Sequence, residues 1–309
     1  MEIKNVVVVG AGLMGNSLAQ VFAADPELCV KLKTRSLKDD RWDQITGNLD
    51  IMIARGAATE EEKQAILSRI NFVTDEREAY ADADFIIECY PEVMEEKQNL
   101  FADIERYCRD DCILATNTSV MSPTEISSKC IHRDRVVGAH FWNPGHLIPL
   151  VEVVKSDYTS EEVMQATMKL LERVGKRPIY CKKDVPGFVA NRLQHALWRE
   201  AFFMVENGIA DPKTVDEACK YGPGLRWPYL GPMENSDMVS IQLTKNIHDY
   251  ILPHLADNHE PSKCLGEMLA GGDNGFKTGK GWQEWTPEQI AASGAGLREY
   301  LIDCNAKQK

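Results

Sequence analysis

Val6-Val7-Val8-Val9-Gly10-Ala11-Gly12-Leu13-Met14-Gly15 is the stretch on which the fold turns. Four β-branched residues in a row leave no polar side for solvent, so they read as a strand buried on both faces of a parallel sheet. The run ends in a G-x-G-x-x-G turn, and residues 13–24 then have the texture of a helix. In such a turn the first glycine permits the tight bend. The second lets backbone approach a pyrophosphate, and the third lets helix pack close to strand. Free N–H groups and the positive end of the helix dipole face whatever lies there. Alone the motif is weak. Here it sits between a buried strand and a helix, at the head of a βαβ unit completed by a strand at 29–33, and it points to a dinucleotide site at Gly10, Gly12, Leu13, Met14 and Gly15. A glycine-rich turn without a ligand is the alternative.

Outward from this unit the alternation continues. Helical patterns over 43–55 and 59–70 are followed by a strand at 85–89, a helix at 92–107 and a strand at 112–116. A short helix opens at Ser122-Pro123, and strands follow at 135–141, 150–154 and 177–181. Thr59 with Glu62, and Thr159 with Glu162, have capping-box spacing. Residues 1–183 are therefore expected to form a Rossmann-type, doubly wound parallel sheet. After Asp184 only helical patterns are found, at 185–207 (stopped by Gly208), 212–221, 236–255 and 287–305. The expected fold class is α/β, with a dinucleotide-binding domain at 1–183 and an all-α substrate and dimerisation domain at 184–309. The 309 residues are ample for two domains.

Charge narrows the partners. Lys and Arg total 35 against 47 Asp and Glu, a net charge of −12. Nucleic acid needs clustered cations, and an anionic membrane surface is disfavoured as well. No apolar run approaches the roughly 18–20 residues of a membrane span, and the first residues lack a signal-peptide layout. The nine cysteines are scattered, with no C-x-x-C pair and only Cys108 and Cys112 close together. They read as reduced thiols of a cytoplasmic protein without a metal site.

The end of the second strand bears on the choice of cofactor. NAD sites usually place Asp or Glu there for the ribose 2′-hydroxyl. This chain has Lys33-Thr34-Arg35-Ser36, and Thr34, Arg35 and Ser36 suit a 2′-phosphate, so NADP is favoured over NAD. The alternative is that Lys33 and Arg35 are solvated charges and NAD binds without its usual carboxylate. Chemistry is expected where strands end: Asn117 and Ser119 follow one strand, and His140 and Asn143 end another. Glu152 lies inside Leu150-Val151-Glu152-Val153-Val154, where a carboxylate must be paired. His140 is its natural partner, with the Glu fixing the tautomer and stabilising the imidazolium. A core histidine with a structural acid is the plainer account.

At these residues the chain resembles the L-3-hydroxyacyl-CoA dehydrogenase family. The matching stretches are Gly10–Gly15, Ile86-Ile87-Glu88 with Glu92 and Lys97, Asn117-Thr118-Ser119, and His140-Phe141-Trp142-Asn143-Pro144. They continue through Leu150–Val154, Asp184-Val185-Pro186-Gly187-Phe188-Val189-Ala190-Asn191-Arg192 and Lys277-Thr278-Gly279-Lys280-Gly281, in the family's order and across both halves. The resemblance implies His140 as the general base on a substrate hydroxyl and Glu152 as its brace. Ser119 and Asn191 would hydrogen-bond the reacting oxygen or a neighbouring carbonyl, with Asn143 on the substrate. Glu92 and Lys97 would lie near the nicotinamide and its ribose, with Asn117 on the cofactor. It also implies a homodimer, a place in fatty acid metabolism and, as substrate, a 3-hydroxyacyl thioester such as 3-hydroxybutyryl-CoA.

Two departures open an alternative. The family carries basic residues near CoA on the helix after the second strand, whereas here Arg55 is the only one in 48–56. Gly222-Pro223-Gly224-Leu225-Arg226-Trp227 looks more like the branch that oxidises small hydroxy acids, such as gulonate and carnitine dehydrogenases. Arg226 would hold a substrate carboxylate, or else stack on Trp227 as a structural arginine. A dinucleotide-binding protein without turnover is the third possibility, and the retained Ser119, His140, Glu152 and Asn191 argue against it.

Overall fold

A computed structural model describes residues 2–307 of the chain. Strands β1 (Asn5–Val9), β2 (Cys29–Lys33), β3 (Ile70–Val73), β4 (Phe85–Glu88), β5 (Ile113–Thr116), β6 (Val136–Phe141), β7 (Leu150–Val154) and β8 (Arg177–Cys181) form one sheet, in the order β3-β2-β1-β4-β5-β6-β7-β8. All neighbours run parallel except β6 and β7. The strand order reverses between β1 and β4, so the glycine turn that ends β1 opens at the switch point where such sheets bind ligands.

The valines of β1 alternate between two layers, as the two-residue period of a strand requires. Val6 and Val8 join the core on the side of α1 (Leu13–Ala23), α2 (Asp43–Ala54), α3 (Glu60–Arg69) and α7 (Glu161–Arg173). Val7 and Val9 join the core under α4 (Glu76–Tyr80), α5 (Met94–Glu105) and α6 (Pro123–Ile126). All four are buried, each contributing roughly 1.5–3 kcal/mol on leaving water. That makes β1 a firm anchor for the turn it leads into. Gly15 then meets the strand so closely that a β-carbon would lie 1.6 Å from the Gly10 carbonyl oxygen.

The helical half comprises α8 (Ala190–Glu206), α9 (Pro212–Tyr221), α10 (Pro223–Arg226), α11 (Pro232–Val239), α12 (Ile241–Ile251), α13 (Lys263–Ala270) and α14 (Pro287–Lys307). Contacts gather the chain up to Asn191, together with Leu297 onward, into one compact unit, and Arg192–Gly296 into a second. The first unit holds both cores. No residue of the second is buried. Among the described residues, no helix is long and apolar enough to cross a membrane.

Some sequence expectations are corrected in detail. The helix expected over 59–70 ends at Arg69, and Ile70–Val73 forms the edge strand β3 beside β2. Ser160, not Thr159, caps α7, accepting from the Val163 N–H; the Thr159 hydroxyl donates to the Val136 carbonyl instead. The helix expected from 185 starts at Ala190, because Gly187 and Phe188 turn the chain with φ of 75° and 48°. The single helix expected over 236–255 is two, broken at Ser240, where φ is 87°.

Candidate active site

The antiparallel turn of β7 sets Glu152 directly opposite His140 on β6, so both side chains leave the same face of the sheet. His140 Nδ1 lies 2.8 Å from Glu152 Oε2. Trp142 Nε1 donates to the same oxygen at 3.2 Å. The other oxygen accepts from the backbone N–H groups of Val189 (2.9 Å) and Ala190 (2.8 Å), at the start of α8. Glu152 has no exposed surface and His140 only 5 %. Burial by itself would raise the Glu152 pKa. The hydrogen bonds from His140, Ala190, Val189 and Trp142 outweigh it and hold the carboxyl below its ordinary range. An ionised carboxylate can only accept, so the proton between the two groups sits on Nδ1, and in the neutral imidazole the lone pair then belongs to Nε2. The rings of Trp142 and Phe188 lie 5.5 and 6.0 Å from the imidazole and restrict it to this setting.

A second buried carboxylate organises the neighbouring strand ends. Glu88 closes β4 with no exposure, and Lys97 on α5 is 1 % exposed. Lys97 Nζ lies 2.8 and 3.0 Å from the two Glu88 oxygens, 3.3 Å from the Tyr90 carbonyl and 3.6 Å from Glu92. The Thr116 hydroxyl and the Tyr90 N–H also donate to Glu88. Glu92 in turn accepts from the Thr118 hydroxyl (2.8 Å) and from the Ser119 N–H (2.6 Å). Asn191 Nδ2 donates to the Ser119 carbonyl at 2.9 Å. Asn117 Oδ1 accepts from the Phe141 N–H at 2.8 Å, knitting the end of β5 to β6. His140, Glu152, Asn117, Ser119, Asn191, Glu92 and Lys97 thus belong to adjoining strand ends and their hydrogen-bond networks. Asn143 is exposed in the β6–β7 loop.

The glycine turn floors a cleft of about 930 Å³ that includes Gly10, Gly12, Leu13, Met14, Thr34, Arg35 and Ser36. Gly10 has φ of 107°, and a β-carbon there would meet the Cys89 carbonyl oxygen at 3.0 Å. Gly12 is bare: nothing lies within 4 Å of where its β-carbon would stand, so a pyrophosphate can approach the backbone. No side chain caps α1, whose first N–H groups remain available for phosphate. Gly15 does not line the cleft; its part is the close packing of helix on strand. The cleft therefore fits a dinucleotide. Lys33, Arg35, Lys38 and Arg41 line it against Asp40 and Asp43, and no carboxylate ends β2. Arg35 stands over the Tyr90 ring, 5.7 Å from its centroid.

The sequence singles out two further residues, Arg55 and Arg226. Arg55, which ends α2, is held by Asp303 at 2.7 Å and by Glu299 at 3.7 Å, both on α14. Arg226 closes α10 in the helical unit. Glu88 was legible only as part of a family stretch. The signal that could have assigned it a partner is the one that found Glu152: an acid in an apolar strand, with a basic residue nine positions on. The donors Trp142, Val189 and Ala190 carried no such signal, since two of them act through backbone.

Residues 5–185 match the NAD binding domain of 3-hydroxyacyl-CoA dehydrogenase, and residues 187–285 its C-terminal domain. L-carnitine dehydrogenase of Pseudomonas aeruginosa is 36 % identical over 74 % of this chain and 71 % of its own length. The crystal structure of 5-formyl-3-hydroxy-2-methylpyridine 4-carboxylic acid 5-dehydrogenase, an NAD+ dependent dismutase, superimposes with a TM-score of 0.90 at 28 % identity, covering 98 % of each chain. That of (S)-3-hydroxybutyryl-CoA dehydrogenase from Ralstonia eutropha gives 0.77 at 31 % identity, covering 92 % of this chain and all of the other.

Because the folded-state pKa of Glu152 lies below 4.5, its contribution to stability is complete above that value and is lost as pH falls through the depressed one. Glu152→Ala is expected to lower stability at neutral pH by roughly 3–5 kcal/mol and to remove part of the acid sensitivity. Asp84 and Glu105, whose carboxyls are also held low, keep their share. Urea unfolding at neutral and acid pH checks this, and unchanged stability in the variant would contradict it.

Proposed function

The chain belongs to the 3-hydroxyacyl-CoA dehydrogenase family of NAD-dependent oxidoreductases, and on that footing we propose that it transfers a hydride at the hydroxyl-bearing carbon of a small free hydroxy acid rather than of an acyl-CoA. The observation that carries the choice of substrate is the state of Arg55. As the only cation of the α2 stretch matched to the family's CoA-facing helix, it is held by two carboxylates, Asp303 and Glu299, and Lys63 of α3 is paired with Asp50 of α2. That hairpin therefore offers little net positive charge to the phosphates of CoA. The high structural similarity to a pyridine-carboxylate dehydrogenase over the full length supports the same view.

The chemistry assigned to the chain's own residues follows from the His140–Glu152 pair. His140 Nε2 takes the proton of the substrate hydroxyl, and the imidazolium so formed is stabilised by the Glu152 carboxylate through Nδ1–H. In the opposite direction the same nitrogen returns the proton to the carbonyl oxygen. A bound nicotinamide would supply the hydride acceptor or donor at its C4. Gly10, Gly12, Leu13, Met14 and Asn117 would hold the cofactor, and Glu92, anchored by Thr118 and Ser119, would set the strand ends around it, with Lys97 holding Glu92 in place. Ser119 and Asn143 are assigned to the substrate, with Asn191 positioning Ser119 through its carbonyl; Arg226 is assigned to the substrate carboxylate. A preference for NADP belongs to the same proposal. It is supported by the missing carboxylate after β2 and by four cations against two acids around the cleft.

The remaining parts of the proposal concern setting and assembly. Residues 1–183 are read as the dinucleotide domain and 184–309 as the substrate and dimerisation domain. A second copy is expected to cover the helical unit, since a helical unit of this size normally closes a core and this one, from Arg192 to Gly296, buries no residue. Nine unpaired cysteines suit a reducing cytoplasm.

His140→Ala should lower kcat by roughly 10²–10⁴ with the fold retained, and unchanged turnover would refute the assigned base. kcat/KM over a panel of free 3-hydroxy acids should exceed that for acetoacetyl-CoA; the reverse order would return the substrate to a thioester. Arg35→Ala should weaken NADP selectively, whereas a lower KM for NAD in the unaltered enzyme would reject the NADP preference. Light scattering on the eluting protein should report twice the chain mass, and a stable monomer at working concentration would exclude the dimer.

A further inference from the structure

Between the end of β8 at Cys181 and the start of α8 at Ala190 the chain makes a short turn. Two of its residues have positive φ, Gly187 at 75° and Phe188 at 48°. Glycine adopts such a value freely, but a phenylalanine keeps it only where the surroundings hold it there. The turn carries three groups to the His140–Glu152 pair. The Val189 and Ala190 N–H groups donate to Glu152 Oε1 at 2.9 and 2.8 Å, and the Phe188 ring lies 6.0 Å from the imidazole. Phe188 is buried with Val154 of β7 and Cys181 of β8.

Side chains tie this turn at both ends to the loop that follows β5. At the far end Asn191 Nδ2 donates to the Ser119 carbonyl at 2.9 Å. At the near end Asp184 Oδ2 accepts from the Ser122 hydroxyl at 2.5 Å and from the Thr124 N–H at 2.9 Å. Ser122 caps α6, whose Pro123 and Ile126 are buried, so the anchor is firm. Residues 119–124 and 184–191 thus close a ring, and Glu152 draws two of its donors from inside it. The hydrogen bonds of Asp184 run to the start of α6, not to the reacting pair. Its Oδ1 is closed off from solvent without a partner. A half-satisfied carboxylate is a poor contributor to stability, which points to direction as its use.

We propose that Asp184 is a positioning residue for the reaction. By pinning the near end of the turn to Ser122 and Thr124, it holds the Val189 and Ala190 N–H groups on Glu152 and the Phe188 ring beside His140. The proposal rests on the reading of His140 as the base. With Asp184 released, Phe188 is free to leave its positive φ for an ordinary one. Rotation there swings the Val189 N–H that follows, so Glu152 loses a donor and the imidazole loses the ring that restricts it. A displacement of roughly 1 Å at the reacting groups is enough to cost about 10²-fold in rate.

The test compares the full chain with its Asp184→Ala, Asp184→Asn and Ser122→Ala variants, by steady-state kinetics and by hydrogen exchange at Val189 and Ala190. Asp184→Ala is expected to lower kcat about tenfold to hundredfold with the KM for the cofactor unchanged, since the glycine turn is untouched. Exchange at the two amides should speed up by about tenfold or more. Asp184→Asn keeps an oxygen for both donors and should restore most of the rate. Ser122→Ala should show both changes in smaller measure and add nothing to the kcat loss of Asp184→Ala. Asp25→Ala removes a carboxylate held by Arg173 at 2.7 and 2.8 Å and is the control for a merely structural loss: stability falls, while kcat and the two amides stay as they were. Exchange reports on the turn whichever residue is the base, so retained turnover in His140→Ala would remove that assignment without altering this measurement. Unchanged exchange at Val189 and Ala190 in Asp184→Ala, or a raised cofactor KM with kcat intact, would overturn the proposal. Should that variant fail to fold, Ser122→Ala decides by the same two readouts.

Discussion

The carboxylate of Glu152 is the constraint around which the first unit is arranged. It is fully buried in a β-branched strand, and a bare charge there would be untenable. Four donors resolve the problem: an imidazole, an indole and two backbone N–H groups. Each donor comes from a segment that must be correctly placed, namely the end of β6, the residue after it and the first turn of α8. The satisfied charge therefore ties strand, loop and helix start together, and removing any donor leaves the others facing a poorly solvated anion. The same ionised state dictates which imidazole nitrogen carries the proton, so a folding constraint and a chemical assignment share one cause.

Glu88 with Lys97 repeats the device at the end of β4, next to the switch point. Here the counter-charge is a full cation from α5, and the carboxylate also holds Thr116 and the Tyr90 N–H. Through Glu92 the network reaches the backbone at Ser119, and Asn191 grips that residue from its carbonyl side. Buried pairs of this sort add little net stability over an apolar packing of equal volume. Their value lies in direction: each oxygen and nitrogen accepts only a few geometries, and those geometries locate the loops that end β4 and β5. The glycine turn achieves comparable precision by steric exclusion, since a side chain at Gly15 would overlap the Gly10 carbonyl while Gly12 stays open to the cleft.

The two compact units contrast in how they meet the need for a core. The first closes an apolar layer on each side of its sheet and takes residues from Leu297 onward into its own structure, with Ile302 buried and Asn305 donating to the Leu147 carbonyl. This return of the chain is what brings Asp303 and Glu299 to Arg55 and neutralises a cation that otherwise faces solvent. The second unit contains well-formed amphipathic helices, yet leaves all of its residues at least partly exposed.

Sequence alone determined the alternation of strand and helix to about residue 183, the glycine turn and its place at the head of the sheet, and the pairing of His140 with Glu152. Local rules suffice for these: a run of valines has no polar face, a turn of glycines has no side chains to place, and an acid inside such a run must find a partner. Tertiary structure decided what depends on the distant course of the chain. The edge strand β3 is recognisable only beside β2, because four residues of mixed polarity carry no period of their own. The donors from Val189 and Ala190 are backbone groups, invisible in residue types. The fate of Arg55 was set 248 positions away by Asp303. Patterns along a chain record which faces must be buried; which charge meets which across the fold is settled only when those faces close on one another.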